Sequence, residues 1–197
     1  MIDIRRLSPA DAIEYRTLML EAYERFADAF TSTPAERRVL PLSWWEKRVA
    51  SADGTSVVFG AFTDQGLVGA VGIDFETKDK TKHKSSLFGM YVIPGQRGHG
   101  IGRELVAAAI AHAEARPGSV VIQLSLTEGN ESALKLYESF GFATFGIEPM
   151  GIRSGGNYCG KVLMWRTIAS SGASTRTAES RTGKERPVAQ QRAGNRR

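Results

Sequence analysis

Cysteine, histidine and long apolar runs are all scarce in this chain of 197 residues, and each scarcity excludes something. With Cys159 as its one cysteine, the chain can form neither an intrachain disulfide framework nor a multi-cysteine metal site. His83, His99 and His112 are scattered without ligand spacing, so no resident metal is expected. The opening Met1-Ile2-Asp3-Ile4-Arg5-Arg6 lacks the apolar core of a signal peptide, and no stretch approaches membrane-spanning length. These absences lead to the expectation of a soluble, cytoplasmic protein that does not engage a membrane.

Excess charge is also scarce, except at one end. The formal net charge is +5, but seven of the 26 Lys/Arg and two of the 21 Asp/Glu lie after Ile168. Nineteen residues of each sign remain before that point, so residues 1–168 are neutral overall. No nucleic-acid surface is therefore expected on the folded part. Residues 169–197 are Ser, Thr, Ala, Gly, Gln and Arg-rich and hold no aromatic residue. Such a segment buries too little apolar surface to offset its ordering entropy, so a disordered basic tail is expected. The preceding 1–168 is one domain's worth of chain, long enough for a core.

Several elements are legible in order. Ile2–Leu7 alternates as a first strand. Ser8-Pro9-Ala10-Asp11 opens a helix, with Ile13, Leu20, Tyr23, Ala27 and Phe30 expected on its apolar face and a break at Thr31–Pro34. Ser43-Trp44-Trp45-Glu46 reads as a capping box opening a short helix through about Ala50. Val57–Phe62 and Leu67–Phe75 form a hairpin joined at Asp64-Gln65-Gly66, followed by a polar loop from Thr77 to Lys84. Further on, Val120–Leu126 is a strand and Glu131–Phe140 a short helix stopped by Gly141. Phe142–Ile147 and Tyr158–Ile168 are the last strands, separated by Glu148–Asn157.

The stretch from Leu87 to Ala115 organises the rest. Leu87–Ile93 is aromatic and β-branched, and Pro94-Gly95 ends it. From Ile101 the apolar period becomes helical, with Ile101, Leu105, Ala108 and His112 on one face backed by Ala109 and Ile110. Between them Gly98, Gly100 and Gly102 alternate where the first helical N–H groups lack partners. Bare backbone at the positive end of a helix suits phosphate. The spacing is neither a Walker loop nor the Gly-x-Gly-x-x-Gly of a dinucleotide fold.

Arg97, Gly100 and Gly102 instead fit the pattern [QR]-x-x-G-x-[GA], and here the chain resembles the GNAT superfamily of N-acetyltransferases. A second stretch is similar to that family's other signature: Asn130-x-x-Ala133-x-x-Leu136-Tyr137-Glu138-x-x-Gly141-Phe142. The element order from Ile2 to Ile168 also resembles it. The resemblance implies an α/β (α+β) fold, a mixed sheet of about six to seven strands flanked by about four helices. It implies acetyl-CoA as co-substrate and direct acetyl transfer to a primary amine. Gly146-Ile147-Glu148-Pro149, Tyr158 and Leu163-Met164 resemble a branch acting on small amines and amino acids.

Residue by residue, the resemblance implies that the amides from Arg97 to Arg103 hold the pyrophosphate, with Gly98, Gly100 and Gly102 among them. Met90 and Val92 would offer a strand edge to the pantetheine arm, and the Met90 N–H would meet the thioester oxygen, with Gly89 beside it as a site for a bulge. Asn130 would cap its helix and touch the cofactor. Tyr137 stands where the family places its general acid, although a tyrosine on an amphipathic helix ordinarily packs. No base is assigned: Ser85-Ser86 replaces the glutamate of some members, and Asp74 and Glu76 are substitutes that could act through water. Trp44 and Trp45 fall in the helix pair that commonly roofs the acceptor site, one expected in the core and one near the acceptor. A protein or peptide acceptor, or a non-catalytic acyl-CoA-binding regulatory role, stays open as an alternative, and family habit admits a homodimer.

Overall fold

The computed structural model describes residues 2–168, so the basic segment 169–197, expected to be a disordered tail, lies outside the described residues. In chain order the elements are β1 (Asp3–Arg6), α1 (Ala12–Arg25), α2 (Pro34–Arg38), α3 (Leu42–Val49), β2 (Ser56–Thr63) and β3 (Gly66–Phe75). They continue with β4 (Lys84–Val92), α4 (Ile101–Glu114), β5 (Val121–Thr127), α5 (Glu131–Glu138), β6 (Ala143–Ser154) and β7 (Asn157–Thr167). All strands join one sheet in the order β1-β2-β3-β4-β5-β7-β6. Every neighbouring pair is antiparallel except β4–β5, which is parallel. The expected mixed sheet is present, with seven strands. Among the described residues no helix is long and apolar enough to cross a membrane.

The period-2 rule of strands splits the core in two. On β2, Val57 packs with Leu105 and Ala109 of α4, whereas Val58 packs with Tyr15 and Met19 of α1 and Trp45 of α3. On β3, Val71 and Ile73 join the first group and Ala70 the second. Helices therefore cover both faces of the central strands, which is why β2 and β3 read as nearly continuous apolar runs.

Four local expectations are corrected. Helix α1 stops at Arg25, where Phe26 leaves the helical region, and a short 3₁₀ turn, Ala27–Ala29, follows. Its buried face is Ala12, Tyr15, Leu18, Met19, Ala22 and Tyr23, while Ile13 is 63% exposed. The break expected at Thr31–Pro34 runs straight into a helix, α2, behind a true capping box: Glu36 N–H donates to Thr33 Oγ1 at 3.2 Å, and Thr33 N–H to a Glu36 carboxylate oxygen at 2.8 Å. Helix α3 starts one residue before Ser43 and makes no side-chain cap bond. The stretch 148–157, read as a connection, is largely strand, because β6 and β7 pair to Ser154↔Asn157 across a bulge between Glu148 and Ile152.

Two tests of the packing follow. A Cβ on Gly72 would lie 2.0–2.5 Å from the ring of Phe88, which is itself covered by the Arg48 guanidinium at 3.4 Å. Gly72→Ala is expected to lower the urea-unfolding free energy by about 1–3 kcal/mol. His112 packs edge-on against Phe59 and Phe75, at 5.7 and 5.8 Å. Burial, then the charges of Arg6 and Arg116, hold its pKa below the ordinary histidine value. The unfolded chain therefore binds the proton more readily, so this contribution is full above about pH 6.5 and is lost as pH falls below it. Stability profiles of His112→Gln are expected to be flatter than wild type over that acidic interval.

Candidate active site

The parallel strands β4 and β5 pair only from Lys84↔Val121 to Ser86↔Gln123. Past that point a cleft of about 910 Å³ lies beside the second half of β4. Two residues of β4, Gly89 and Met90, oppose the single Val71 of β3, so the strand carries a bulge there. Gly89 has φ +62°, the left-handed geometry that this kind of bulge asks of its first residue. The expected bulge is thus present. The Ile93 N–H donates to Val68 O on β3 at 2.9 Å. Backbone groups alternate along a strand, so Val92 presents its own to the cleft side, and Met90 lines the same cleft. The Val92 carbonyl accepts there from Arg97 Nε at 2.9 Å.

After β4, a 3₁₀ turn at Pro94–Gln96 leads into the glycine loop and then α4. Gly98 and Gly100 have φ of +83° and +82°, and nothing lies within 4 Å of where a Cβ would sit. Conformation, not crowding, selects glycine at both positions. Gly102 differs, since its Cβ would come within 2.9 Å of Met90 Cε. The Arg97 guanidinium rests over the Phe26 ring at 4.4 Å. Arg103 bridges to α5, donating to Ser139 Oγ at 3.1 Å. Asn130 caps α5 as expected, its Oδ1 accepting the Ala133 N–H at 3.2 Å.

Met90, Val92, Arg97, Gly98, Gly100, Gly102, Arg103 and Asn130 all line the cleft. Open glycine amides, a helix N-terminus and three arginines (Arg25, Arg97 and Arg103) along one elongated cleft fit a nucleotide pyrophosphate, and a free strand edge fits the amide-bearing arm of coenzyme A. Tyr137 is the exception among the nominated residues. It is 6% exposed, packs edge-on against Phe142 at 5.8 Å, and is absent from the cleft wall, although its neighbour Leu136 belongs to that wall. Burial pushes its hydroxyl pKa well above the ordinary tyrosine range.

A second, smaller cavity of about 110 Å³ lies on the other side of the bulge. Gly89 lines the small cavity, Met90 the large one, and Phe30 both. Trp44 and Trp45 both line it, with Trp45 fully in the core and Trp44 half-buried. Sequence reasoning missed Tyr15, Tyr23, Arg37 and Arg48, which also border it. The Tyr15 hydroxyl lies 3.6 Å from the Cβ position of Gly89, and burial raises its pKa above the normal range. The signal for Arg37 was the capping box at Thr33. Of the substitute bases, Asp74 is engaged by Arg48 Nη1 at 2.9 and 3.2 Å and by Ser56 Oγ at 2.6 Å. Glu76 accepts from Thr81 Oγ1 at 3.3 Å. Neither lines either cavity, and the same is true of Ser85 and Ser86.

The sequence profile of the Acetyltransferase (GNAT) family matches residues 17–142. Among curated proteins, the mycothiol acetyltransferase of Thermobispora bispora is 39% identical over 64 residues, which is 31% of this chain and 21% of that protein. The [ribosomal protein bS18]-alanine N-acetyltransferase of Escherichia coli K12 is 32% identical over 107 residues, 54% of this chain and 69% of that enzyme. The match thus spans about a fifth of the mycothiol enzyme and about two thirds of the ribosomal-protein enzyme. A Salmonella typhimurium protein solved with its cofactor acetyl-CoA superposes with a TM-score of 0.71 at 22% identity, covering 90% of this chain and 99% of that one. The family profile, the mixed seven-stranded sheet and the glycine loop beside a bulged strand agree: this chain belongs to the GNAT family of acetyl-CoA-dependent acyltransferases.

Proposed function

We propose that this protein transfers the acetyl group of acetyl-CoA directly to a primary amine of a small molecule or amino acid. One observation carries the reading: a large cleft suited to the cofactor and a small aromatic cavity meet at the Gly89–Met90 bulge. An acetyl donor on one side and an amine on the other would be brought together there, and holding both in reach is itself a large part of the acceleration.

When bound, acetyl-CoA supplies an acetyl carbon for the amine's lone pair and a sulfur that leaves. The N–H of Met90, a residue of the cleft wall, is assigned to the oxygen that gains negative charge during attack. The amides from Arg97 to Arg103 hold the phosphates, and Val92 with Met90 pairs the arm as an added strand would. Tyr137, which lies behind the cleft wall at Leu136, is assigned as the donor to the leaving sulfur from its place in the motif. Its hydroxyl is protonated at neutral pH, as that of any tyrosine is, and burial makes it a weaker acid than an exposed one. No carboxylate lines the smaller cavity among the described residues, so the incoming ammonium gives its proton to water. A protein N-terminus is the second reading, favoured by the match to the bS18-alanine enzyme. The size of the smaller cavity favours the small acceptor.

Gly100→Glu tests the cofactor site. It forces a side chain into left-handed backbone, at about 1–2 kcal/mol of stability, and sets a carboxylate against the phosphates. Calorimetry is expected to find a folded protein that no longer binds acetyl-CoA, and retained affinity would dismiss the loop as the phosphate site. Tyr137→Phe is expected to lower kcat by about a hundredfold or more while the Kd for acetyl-CoA stays within about twofold. An unchanged kcat between pH 6 and 9 would remove Tyr137 from the reaction.

A further inference from the structure

Two residues of the smaller cavity's wall carry buried donors that nothing satisfies. Trp45 is 1% exposed, and its indole N–H has no hydrogen-bond partner. Arg37 Nε is buried and likewise unpaired, although the same guanidinium donates through Nη2 to Ser32 Oγ at 2.7 Å, hydrogen-bonds the Tyr23 side chain and lies over Trp44 at 4.6 Å. Only one other buried side-chain atom among the described residues lacks a partner, Ser119 Oγ. Orphaned buried donors are rare in folded proteins because they forfeit water without replacement. Here two of the three belong to walls of one cavity.

Charge points the same way. Arg48 is neutralised by the two oxygens of Asp74. Arg37 takes part in none of the ion pairs among the described residues, and no carboxylate lines the cavity. The cavity wall therefore holds one arginine that no carboxylate of that wall pairs, together with two residues carrying unpaired buried N–H groups, a donor set complementary to a carboxylate. Its volume, about 110 Å³ against the roughly 10–15 Å³ needed for one water, accommodates such a group with a few attached carbons.

On the acetyl-transfer reading above, we infer that the acceptor is an amine that also bears a carboxylate, as the zwitterion of an amino acid does. Arg37 and Trp45 hold the carboxylate, and the amine faces the Gly89–Met90 bulge. A peptide N-terminus brings a neutral carbonyl to the same donors and leaves the arginine charge unbalanced. A diamine brings a second cation against Arg37.

The test uses the full chain with acetyl-CoA and a panel of amino acids, each beside its carboxamide and its decarboxylated amine. Loss of the carboxylate is expected to raise KM by about tenfold to a hundredfold, with a smaller change in kcat. Arg37→Gln is expected to erase that preference, and Arg37→Lys, which keeps the charge but not the planar fork, to retain part of it. The same amino acids are titrated by tryptophan fluorescence in the presence of CoA, since Trp44 and Trp45 border the cavity. Transfer without carboxylate preference, or a preference undiminished in folded Arg37→Gln, overturns this inference and leaves the reaction standing. If Arg37→Gln does not fold, the substrate comparison and Arg37→Lys decide. Arg37-dependent binding of amino acids with no transfer to any amine supports the carboxylate site and overturns the proposed reaction. Neither binding nor transfer overturns both.

Discussion

Two parallel strands that part after three residue pairs impose the constraint on which the site depends. Once β5 turns away beyond Gln123, the backbone of β4 keeps hydrogen-bonding capacity on that side with no strand to meet it. Polar backbone in a protein interior needs a partner, so an edge of this kind is stable only where solvent, a side chain or a ligand supplies one. Arg97 supplies one at Val92. The bulge at Gly89 then displaces the strand by one residue, so that a single β4 segment borders a cleft with one neighbour and a cavity with the next.

The two spaces differ in the physics they use. The large cleft relies first on main chain, namely left-handed glycines, a helix N-terminus and an open strand, with three arginines added along it. The small cavity relies on side chains, with aromatic rings for shape and arginines for charge. It draws on α1, α2, α3 and β4, elements far apart in sequence. Helix α2 is only five residues long, and it sets Arg37 beside Trp44 and Trp45 because α1 ends early at Phe26.

This contrast explains what could be read from the sequence. Main-chain sites announce themselves locally, since Gly98, Gly100 and Gly102 must be glycine or must be small wherever the loop occurs, and the strand and helix flanking them have clear periods. The cap at Asn130 is equally local. The smaller cavity has no local grammar. Arg37 lies just past the expected break at Thr31–Pro34, and Tyr15 and Tyr23 have the spacing of ordinary core residues. Asp74 looked available as a carboxylate until the fold placed Arg48 and Ser56 on it. Tyr137 shows the reverse: its motif was plain, yet the packing against Phe142 that seats it in the core was not.

Phe30 belongs to the walls of both spaces, and the turn just before it is fastened to β5 by a hydrogen bond from Thr127 Oγ1 to the carbonyl of Asp28. One short segment is thereby common to two binding equilibria. Any displacement of Phe30 by the occupant of one space alters the affinity of the other, and thermodynamic reciprocity makes the factor the same in both directions. On the acetyl-transfer proposal, donor and acceptor binding would then form a single coupled equilibrium that passes through the turn held by Thr127.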